Sequence, residues 1–125
     1  MTTKLYRVIL PVTSIDGAAA FYAQVLGQSG QRVSAGRHYF DCGGTILACY
    51  SSREDGDAHD VPANPEHIYF AVDDLEAVFA RCSRAGCKQL DPNIKTRPWG
   101  ERSFYAQDPF GNGICFVDET SVFVG

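Results

Sequence analysis

Three side chains with distinct chemistry occupy matching places in the sequence, at or near the ends of short β-rich runs. Arg7 opens the run RVILPV, His67 opens HIYFAV, and Cys115 lies in GICFV, directly after the turn-forming stretch DPFGNG. A histidine nitrogen and a cysteine thiolate can both bind a metal, and a thiolate is also a nucleophile. An arginine has no lone pair to give, but its planar fork binds carboxylates and phosphates. The three residues therefore predict metal binding, thiol chemistry or anion recognition.

Each of the three also has a structural interpretation. Cys115 needs a lowered pKa to act as a nucleophile, and positive charge from Arg7 and His67 would supply it. Otherwise Cys115 is a small apolar filler. Arg7 either grips an anionic ligand, pairs with an acid on a neighbouring strand, or lies on the surface. His67 is either a metal ligand or a pocket residue that only forms hydrogen bonds.

The elements that would position these residues follow from hydrophobic spacing. Residues 5–12, LYRVILPV, alternate as a strand does, and apolar residues at helical spacing from Ile15 to Leu26 predict an amphipathic helix that stops at Gly27. Thr13 and Asp16 provide a capping-box-like start. Glycine-punctuated runs predict further strands at residues 31–34, 38–42 and 45–51.

The pattern restarts after a polar segment. Residues 52–65, SREDGDAHDVPANP, are acidic and contain glycine and proline, which predicts a linker or a mobile loop. HIYFAV is then a strand, and Asp73 or Asp74 caps a helix whose apolar stripe runs from Leu75 to Gly86. Short strands are predicted around residues 88–90, 101–107 and 113–117.

An internal repeat with an offset of 60 residues relates the two halves. RVILPVTSIDGAAA from Arg7 aligns with HIYFAVDDLEAVFA from His67, so each half is predicted to be a β-α-β-β-β unit. The strand faces turned away from the helices would line a cavity, and their mixed apolar, aromatic and polar side chains are typical of a small-molecule pocket. The residues predicted on these inner faces are Arg7, Ile9, Leu47, Cys49, His67, Tyr69, Cys115 and Val117.

Composition and charge narrow the class of protein. With 125 residues, 45% of them hydrophobic, the chain fits one domain with its own core. The net charge of -4 and the scattered basic residues argue against nucleic acid as a partner. No segment has the apolar length of a signal peptide or membrane helix, which predicts a soluble, cytoplasmic protein. Five cysteines without a CxxC pair predict neither a disulfide framework nor a thiolate zinc site.

The sequence resembles the vicinal oxygen chelate superfamily, which contains glyoxalase I, extradiol dioxygenases and bleomycin-resistance proteins. The resemblance rests on PVTSIDGAAAFYAQVLG, HIYFAVDDLEA and the ending PWGERSFYAQDPFGNGICFVDE, and it covers nearly the whole chain. It implies an α+β fold of two tandem β-α-β-β-β modules that form a cupped mixed sheet, assembled as a homodimer. Within a single domain of residues 1–125, module one would span about 4–51, the linker about 52–65 and module two about 66–118.

In metal-dependent members of the superfamily, the first strand of each module supplies a ligand, and an acidic ligand follows the DPxGN turn. The resemblance places these ligands at Arg7, His67 and Cys115, so only His67 matches. It therefore implies no metal or other cofactor. The alternative is an altered metal site around His67 and Cys115. Further ligands for that alternative site would be drawn from His38, Cys49 and Glu101.

The departure from the ligand pattern resembles the metal-free, bleomycin-resistance-like members. It implies metal-independent binding of a small organic molecule, such as an antibiotic-like or aromatic cation, and an acidic loop would attract such a cation. The alternatives are a metal-dependent lyase, isomerase or dioxygenase, and thiol chemistry at Cys115. The segment PWGERSFY resembles the drug-groove region, although Trp99 could instead be buried under the sheet edge. The predicted ligand-binding residues are Arg7, Ile9, Cys49, His67, Tyr69, Trp99, Phe104, Tyr105 and Cys115. The acidic loop comprises Glu54, Asp55, Asp57 and Asp60.

Overall fold

A computed structural model describes residues 2–125, which form two compact units divided between Ala63 and Asn64. The first unit contains one helix and four strands. These are β1 (Arg7–Pro11), α1 (Ile15–Leu26), β2 (Gln31–Ser34), β3 (Arg37–Cys42) and β4 (Thr45–Tyr50).

The second unit repeats this succession of elements and adds a short strand and a 3-10 turn. Its elements are β5 (Ile68–Val72), α2 (Leu75–Ala85), β6 (Gln89–Leu90), β7 (Lys95–Thr96), β8 (Arg102–Gln107), β9 (Gly113–Asp118) and the 3-10 turn Glu119–Ser121. The two-residue strand β7 was not predicted from the sequence, because so short a run carries no periodicity.

Both sheets have the same topology. The first runs in the order β1-β4-β3-β2, and the second in the order β5-β9-β8-β6, with β7 also paired to β8. In each sheet the first strand lies parallel to the last long strand, and the remaining pairs are antiparallel. The predicted α+β fold of two β-α-β-β-β modules is therefore confirmed.

The helix boundaries repeat at nearly the same offset. The hydroxyl of Ser14 accepts a hydrogen bond from the Gly17 N–H, and the carboxylate of Asp74 accepts one from the Ala77 N–H. Each satisfies a donor that the first helical turn leaves unpaired. The cap of α1 is thus Ser14, and the predicted start at Thr13 and Asp16 was wrong by one residue.

Each helix packs on one face of its own sheet through aromatic side chains. Tyr22 of α1 lies 6.3 Å from Phe40 of β3 between ring centroids. Phe79 of α2 meets Phe104 of β8 edge-on at 4.9 Å, and Phe104 stacks on Phe116 of β9 at 5.4 Å. Because one face of each sheet is covered in this way, alternation along the strands turns the neighbouring side chains to the opposite face, here called the open face.

The acidic loop is tied to the first unit by its own carboxylates. Glu54 accepts a hydrogen bond from the N–H of Ile15 at 2.7 Å, at the start of α1. Asp55 accepts from the Ser34 hydroxyl and the Gly36 N–H, and Asp57 accepts from the hydroxyl of Tyr50. These hydrogen bonds hold the loop in place. They give the three acids a structural role, so no role in attracting a ligand is needed to explain them.

Among residues 2–125, neither helix has the length and apolar character required to cross a membrane.

Candidate functional site

The stretch DPFGNG forms a turn that fixes the start of β9. The buried carboxylate of Asp108 accepts hydrogen bonds from the N–H groups of Phe110 and Asn112 and from the Asn112 side-chain amide, at 2.9 to 3.0 Å. The Asn112 side-chain oxygen in turn accepts from the N–H of Asn64 at 2.8 Å. Gly111 has a φ of 92°, which a glycine adopts without strain, whereas no non-glycine residue described, Asn112 included, has a positive φ.

Cys115 lies at the centre of the open face of the second sheet. In the strand register it stands beside Tyr69 of β5 on one side and Tyr105 of β8 on the other. Its side chain is almost fully buried, with 1% of the residue exposed. Burial raises the pKa of the Cys115 thiol to about 11, against smaller opposing effects of Ser103 and Arg97. The thiol is therefore neutral near pH 7, which favours the interpretation as a filler over the nucleophile.

His67 lies beside this position, immediately before β5. Its ring meets the ring of Tyr105 edge-on, with centroids 4.9 Å apart. It also covers the backbone of Gly113, where an added Cβ would come within 2.8 Å of the imidazole. Gly113 therefore leaves the space that the imidazole occupies, and any side chain at that position would displace the ring.

Two tyrosines continue the open face beyond Cys115. Tyr69 is 57% exposed, and its hydroxyl lies 3.4 Å from that of Tyr105. This hydrogen bond, with burial, raises the pKa of Tyr105 to about 12. The guanidinium of Arg97 lies 4.9 Å from the Tyr105 ring centroid and is paired with Asp91. The Tyr105 phenol is thus neutral near pH 7, and the neighbouring guanidinium of Arg97 is already paired with Asp91.

An open groove of about 410 Å³ borders this surface. Trp99 is 63% exposed, so the alternative that it is buried under the sheet edge was wrong. Its indole N–H donates to a carboxylate oxygen of Glu101 at 2.8 Å, which fixes the ring beside a negative charge. The groove is lined by Tyr69, Phe70, Ala71, Trp99, Glu101, Val117 and Val122.

Arg7 and Ile9 lie on the open face of the first sheet, and both are exposed. Arg7 donates from Nη1 to the hydroxyl of Tyr39 at 3.2 Å, and Arg37 donates to the same oxygen at 3.1 Å. Tyr39 follows Arg37 on β3 with a spacing of two, so both point to the open face. Within residues 2–125, no ion pair joins Arg7 to an acid.

Two residues predicted for the inner faces, Leu47 and Cys49, lie on the helix side of the first sheet. Cys49 pairs in register with the buried Leu10, and Leu47 pairs with Val8, whereas Ile9 pairs with Ala48. Since Tyr69 pairs with Cys115 and its repeat counterpart Ile9 pairs with Ala48, the repeat counterpart of Cys115 is Ala48. Phe104 is fully buried against α2, so the prediction that it is a ligand-binding residue was wrong.

Residues 4–116 match the family model described as the Glyoxalase/Bleomycin resistance protein/Dioxygenase superfamily. The chain belongs to this superfamily. A Bacillus subtilis (strain 168) relative, the uncharacterized protein YwbC, is 26% identical over 93% of this chain and 98% of its own length.

Solved structures of superfamily proteins share the fold. A glyoxalase-related enzyme from Fulvimarina pelagi aligns with a TM-score of 0.79 at 18% identity, over 99% of this chain and 94% of that protein. Lactoylglutathione lyase from Agrobacterium tumefaciens aligns with a TM-score of 0.71 at 20% identity, over 98% of each chain. Oxidase ChaP-H2 aligns with a TM-score of 0.72 at 24% identity, over 94% of each. At these identities the likeness concerns the fold alone.

The ligand positions of metal-dependent superfamily members do not fit a metal in this chain. Arg7 offers a permanent positive charge and no lone pair, and Cys115 offers a single buried thiol at the position of the acidic ligand. Across residues 2–125, no group of three or more histidine, cysteine, aspartate and glutamate side chains is placed to hold a metal ion. His67 remains as a single donor, and one donor is too few for a zinc-type site.

Sequence reasoning missed several open-face residues in this superfamily member. Tyr39 and Arg37 were not predicted as open-face residues, although they alternate along β3 with His38 and Phe40, and this alternation places them on the face opposite the helix. Ser103 was missed in the same way on β8, opposite Val117. Glu101 was considered only as a metal ligand, because nothing in the sequence reveals its hydrogen bond with Trp99.

Proposed function

We propose that this superfamily member binds a small aromatic cation, such as an antibiotic-like compound, without a metal ion, in the groove of the second unit. The observation that carries the proposal is the exposed indole of Trp99, held by a 2.8 Å hydrogen bond beside the carboxylate of Glu101. An aromatic face next to a carboxylate attracts a positively charged ring both electrostatically and through its π system.

The groove offers matching shape and chemistry. Its volume of about 410 Å³ lies within the range of small-molecule pockets, roughly 300–1,000 Å³. Tyr69 and Trp99 provide exposed aromatic surface, and Val117 and Val122 provide apolar contact. The nearby Arg97 is neutralised by Asp91, and no ion pair of the described residues involves Glu101. The groove therefore favours a cation over an anion.

The donor chemistry supports independence from metal. A neutral, buried thiol occupies the place of the acidic ligand, and an arginine occupies the place of the first-strand ligand. A ligand that relies on ring stacking and on Glu101 needs neither position.

The proposal is tested by titration of Trp99 fluorescence, because Trp99 is the single tryptophan of the chain. The probes share one ring and differ in charge: benzyltrimethylammonium, benzyl alcohol and benzoate, each added in the presence of EDTA. We expect saturable quenching by the cation and weaker responses to the other two. Glu101→Gln keeps an oxygen acceptor for the indole and removes the charge, and should weaken cation binding by about tenfold, or about 1.4 kcal/mol.

Glu66→Gln is the matched control, since it makes the same change in net charge at an exposed residue that does not line the groove. It should leave the affinity for the cation unchanged. Equal losses in the two variants, or equal binding of all three probes, would refute recognition of a cation at Glu101.

The alternative function is metal-dependent catalysis at an altered site around His67. Two of the fold relatives are named as a lactoylglutathione lyase and an oxidase, and His67 lies exposed beside the same open face as Cys115. This alternative expects bound metal after reconstitution and loss of that metal in a His67→Ala variant. Benzyltrimethylammonium binding that persists in EDTA and in His67→Ala would favour the first proposal.

A further inference from the structure

The first unit carries a second polar cluster, in which two arginines meet at one phenol. The guanidinium groups of Arg7 on β1 and Arg37 on β3 donate to the same hydroxyl oxygen of Tyr39, at 3.2 and 3.1 Å. The hydroxyl thereby accepts from both sides and retains its own hydrogen for donation. We call Arg7, Arg37 and Tyr39 the arginine-tyrosine face.

The charges of this cluster are not balanced within the described chain. Asp55 pairs with Arg37 at 3.3 Å and also accepts from Ser34 and Gly36, and these hydrogen bonds hold the pKa of Asp55 below its ordinary value. Asp55 therefore stays ionised and compensates one guanidinium. No acidic side chain among residues 2–125 forms an ion pair with Arg7. Arg7 is therefore the guanidinium of this cluster that can pair with an external anion.

Aromatic rings hold both guanidinium groups in place. Arg7 lies 5.3 Å from the Tyr6 ring centroid, and Arg37 lies 4.5 Å from that of Tyr50. Stacking on a ring limits the conformations of a long side chain, so less entropy is lost when an anion binds. Ile9, exposed on the same face as Arg7, adds apolar surface for the body of a ligand.

We propose that the arginine-tyrosine face binds the oxyanion group, a carboxylate or a phosphate, of a small organic molecule. Two guanidinium groups and a phenol hydrogen directed at one place match the acceptor geometry of such a group. This proposal goes beyond the aromatic-cation groove, because it concerns the first unit and selects the opposite charge.

The test uses side-chain NMR of the arginine Nε–H groups in the ¹⁵N-labelled full chain, titrated with benzoate, phenyl phosphate and benzyl alcohol. The signals of Arg7 and Arg37 should move on addition of either anion and stay in place with the alcohol. Arg32, which is paired with Asp16 at 2.7 Å, should not respond. The tighter of the two anions identifies whether the site prefers a carboxylate or a phosphate.

Calorimetric affinities of three variants complete the test. Arg7→Gln should weaken benzoate binding by about tenfold, since it removes one charge-assisted contact. Tyr39→Phe should weaken it less, because it keeps the ring and removes one donor. The matched control, Arg32→Gln, changes the net charge equally and should leave the affinity unchanged.

The proposal is overturned if neither anion binds, if benzoate shifts Arg32 as much as Arg7, or if Arg7→Gln and Arg32→Gln behave alike. Its failure is distinguishable from failure of the aromatic-cation groove, because the readouts are Arg7 and Arg37 in one unit and Trp99 fluorescence in the other.

Discussion

The thiol of Cys115 should be among the slowest of the five cysteines to react with iodoacetamide in the folded protein. Its pKa of about 11 leaves roughly one molecule in 10⁴ as thiolate at pH 7, against roughly one in 30 for an ordinary cysteine with a pKa near 8.5. The difference is roughly 300-fold before burial is counted, and the 1% exposure of Cys115 slows access further. The reaction rate of Cys115 is compared with that of Cys87. Cys87 is half-buried, and a hydrogen bond with the Cys82 thiol lowers its pKa.

Peptide mapping by mass spectrometry over a time course at pH 7 measures these rates. We expect alkylation of Cys87 first and of Cys115 at least about 100 times more slowly. In urea all five cysteines should react at similar rates, which controls for differences in peptide detection. Modification of folded Cys115 as fast as Cys87 would show that a thiolate is present, and would restore the thiol-chemistry hypothesis.

Three further predictions concern stability. Burial raises the pKa of Cys115 in the folded protein to about 11, so the stability linked to this thiol is fully present below about pH 8.5 and is lost as pH rises towards 11. Cys115→Ala should therefore lose less stability than the unaltered protein over that range, and identical pH profiles would contradict this. Phe104→Ala should lower the free energy of unfolding by about 3–5 kcal/mol in urea titrations, whereas Trp99→Ala, at an exposed residue, should lower it by less than about 1 kcal/mol. A decrease below about 1 kcal/mol for Phe104→Ala would show that Phe104 is not part of the core. Asp108→Ala removes the carboxylate that accepts three hydrogen bonds in the DPFGNG turn, and should lower the free energy of unfolding by at least about 2 kcal/mol in the same titrations. Unchanged stability would show that water replaces the carboxylate.

The elements of the fold were predictable because local signals agreed with one another. Apolar residues at helical spacing and a glycine stop mark α1, and the same signals recur for α2, with Ile15 matching Leu75. Gly27 and Gly86 both adopt the left-handed conformation that a helix end favours. The repeat then predicted two units of one topology, and the observed strand orders confirm this.

The faces of individual strands were harder to predict, because a shift of one residue moves a side chain to the opposite side of the sheet. Arg7, Tyr69 and Cys115 were placed on the open faces as observed. Leu47 and Cys49 were misplaced because the alternation of β4 was taken out of step by one residue, since the strand register makes Ala48 the counterpart of Cys115. Phe104 was misplaced because its role came from a resemblance of the segment PWGERSFY and not from alternation with Tyr105.

Contacts between segments distant in sequence could not be predicted at all. The 39-residue separation between Ile15 and Glu54 gives no local sign that a loop carboxylate meets the start of a helix. The meeting of Arg7 with Tyr39 depends on β1 and β3 flanking β4, which only the assembled sheet determines. The face of a side chain was thus predicted where the alternation of residues along one strand determines it. Contacts that depend on which strands lie next to each other in the sheet were not predicted.

Metal-independent binding of an aromatic cation is tested most directly by calorimetric titration of EDTA-treated protein with benzyltrimethylammonium, repeated after addition of zinc, nickel, manganese or ferrous ions. We expect saturable binding in EDTA, with the same affinity after each ion, because the groove at Trp99 and Glu101 uses no metal ligand. Binding that appears only after a metal ion is added, and disappears in His67→Ala, would contradict this expectation.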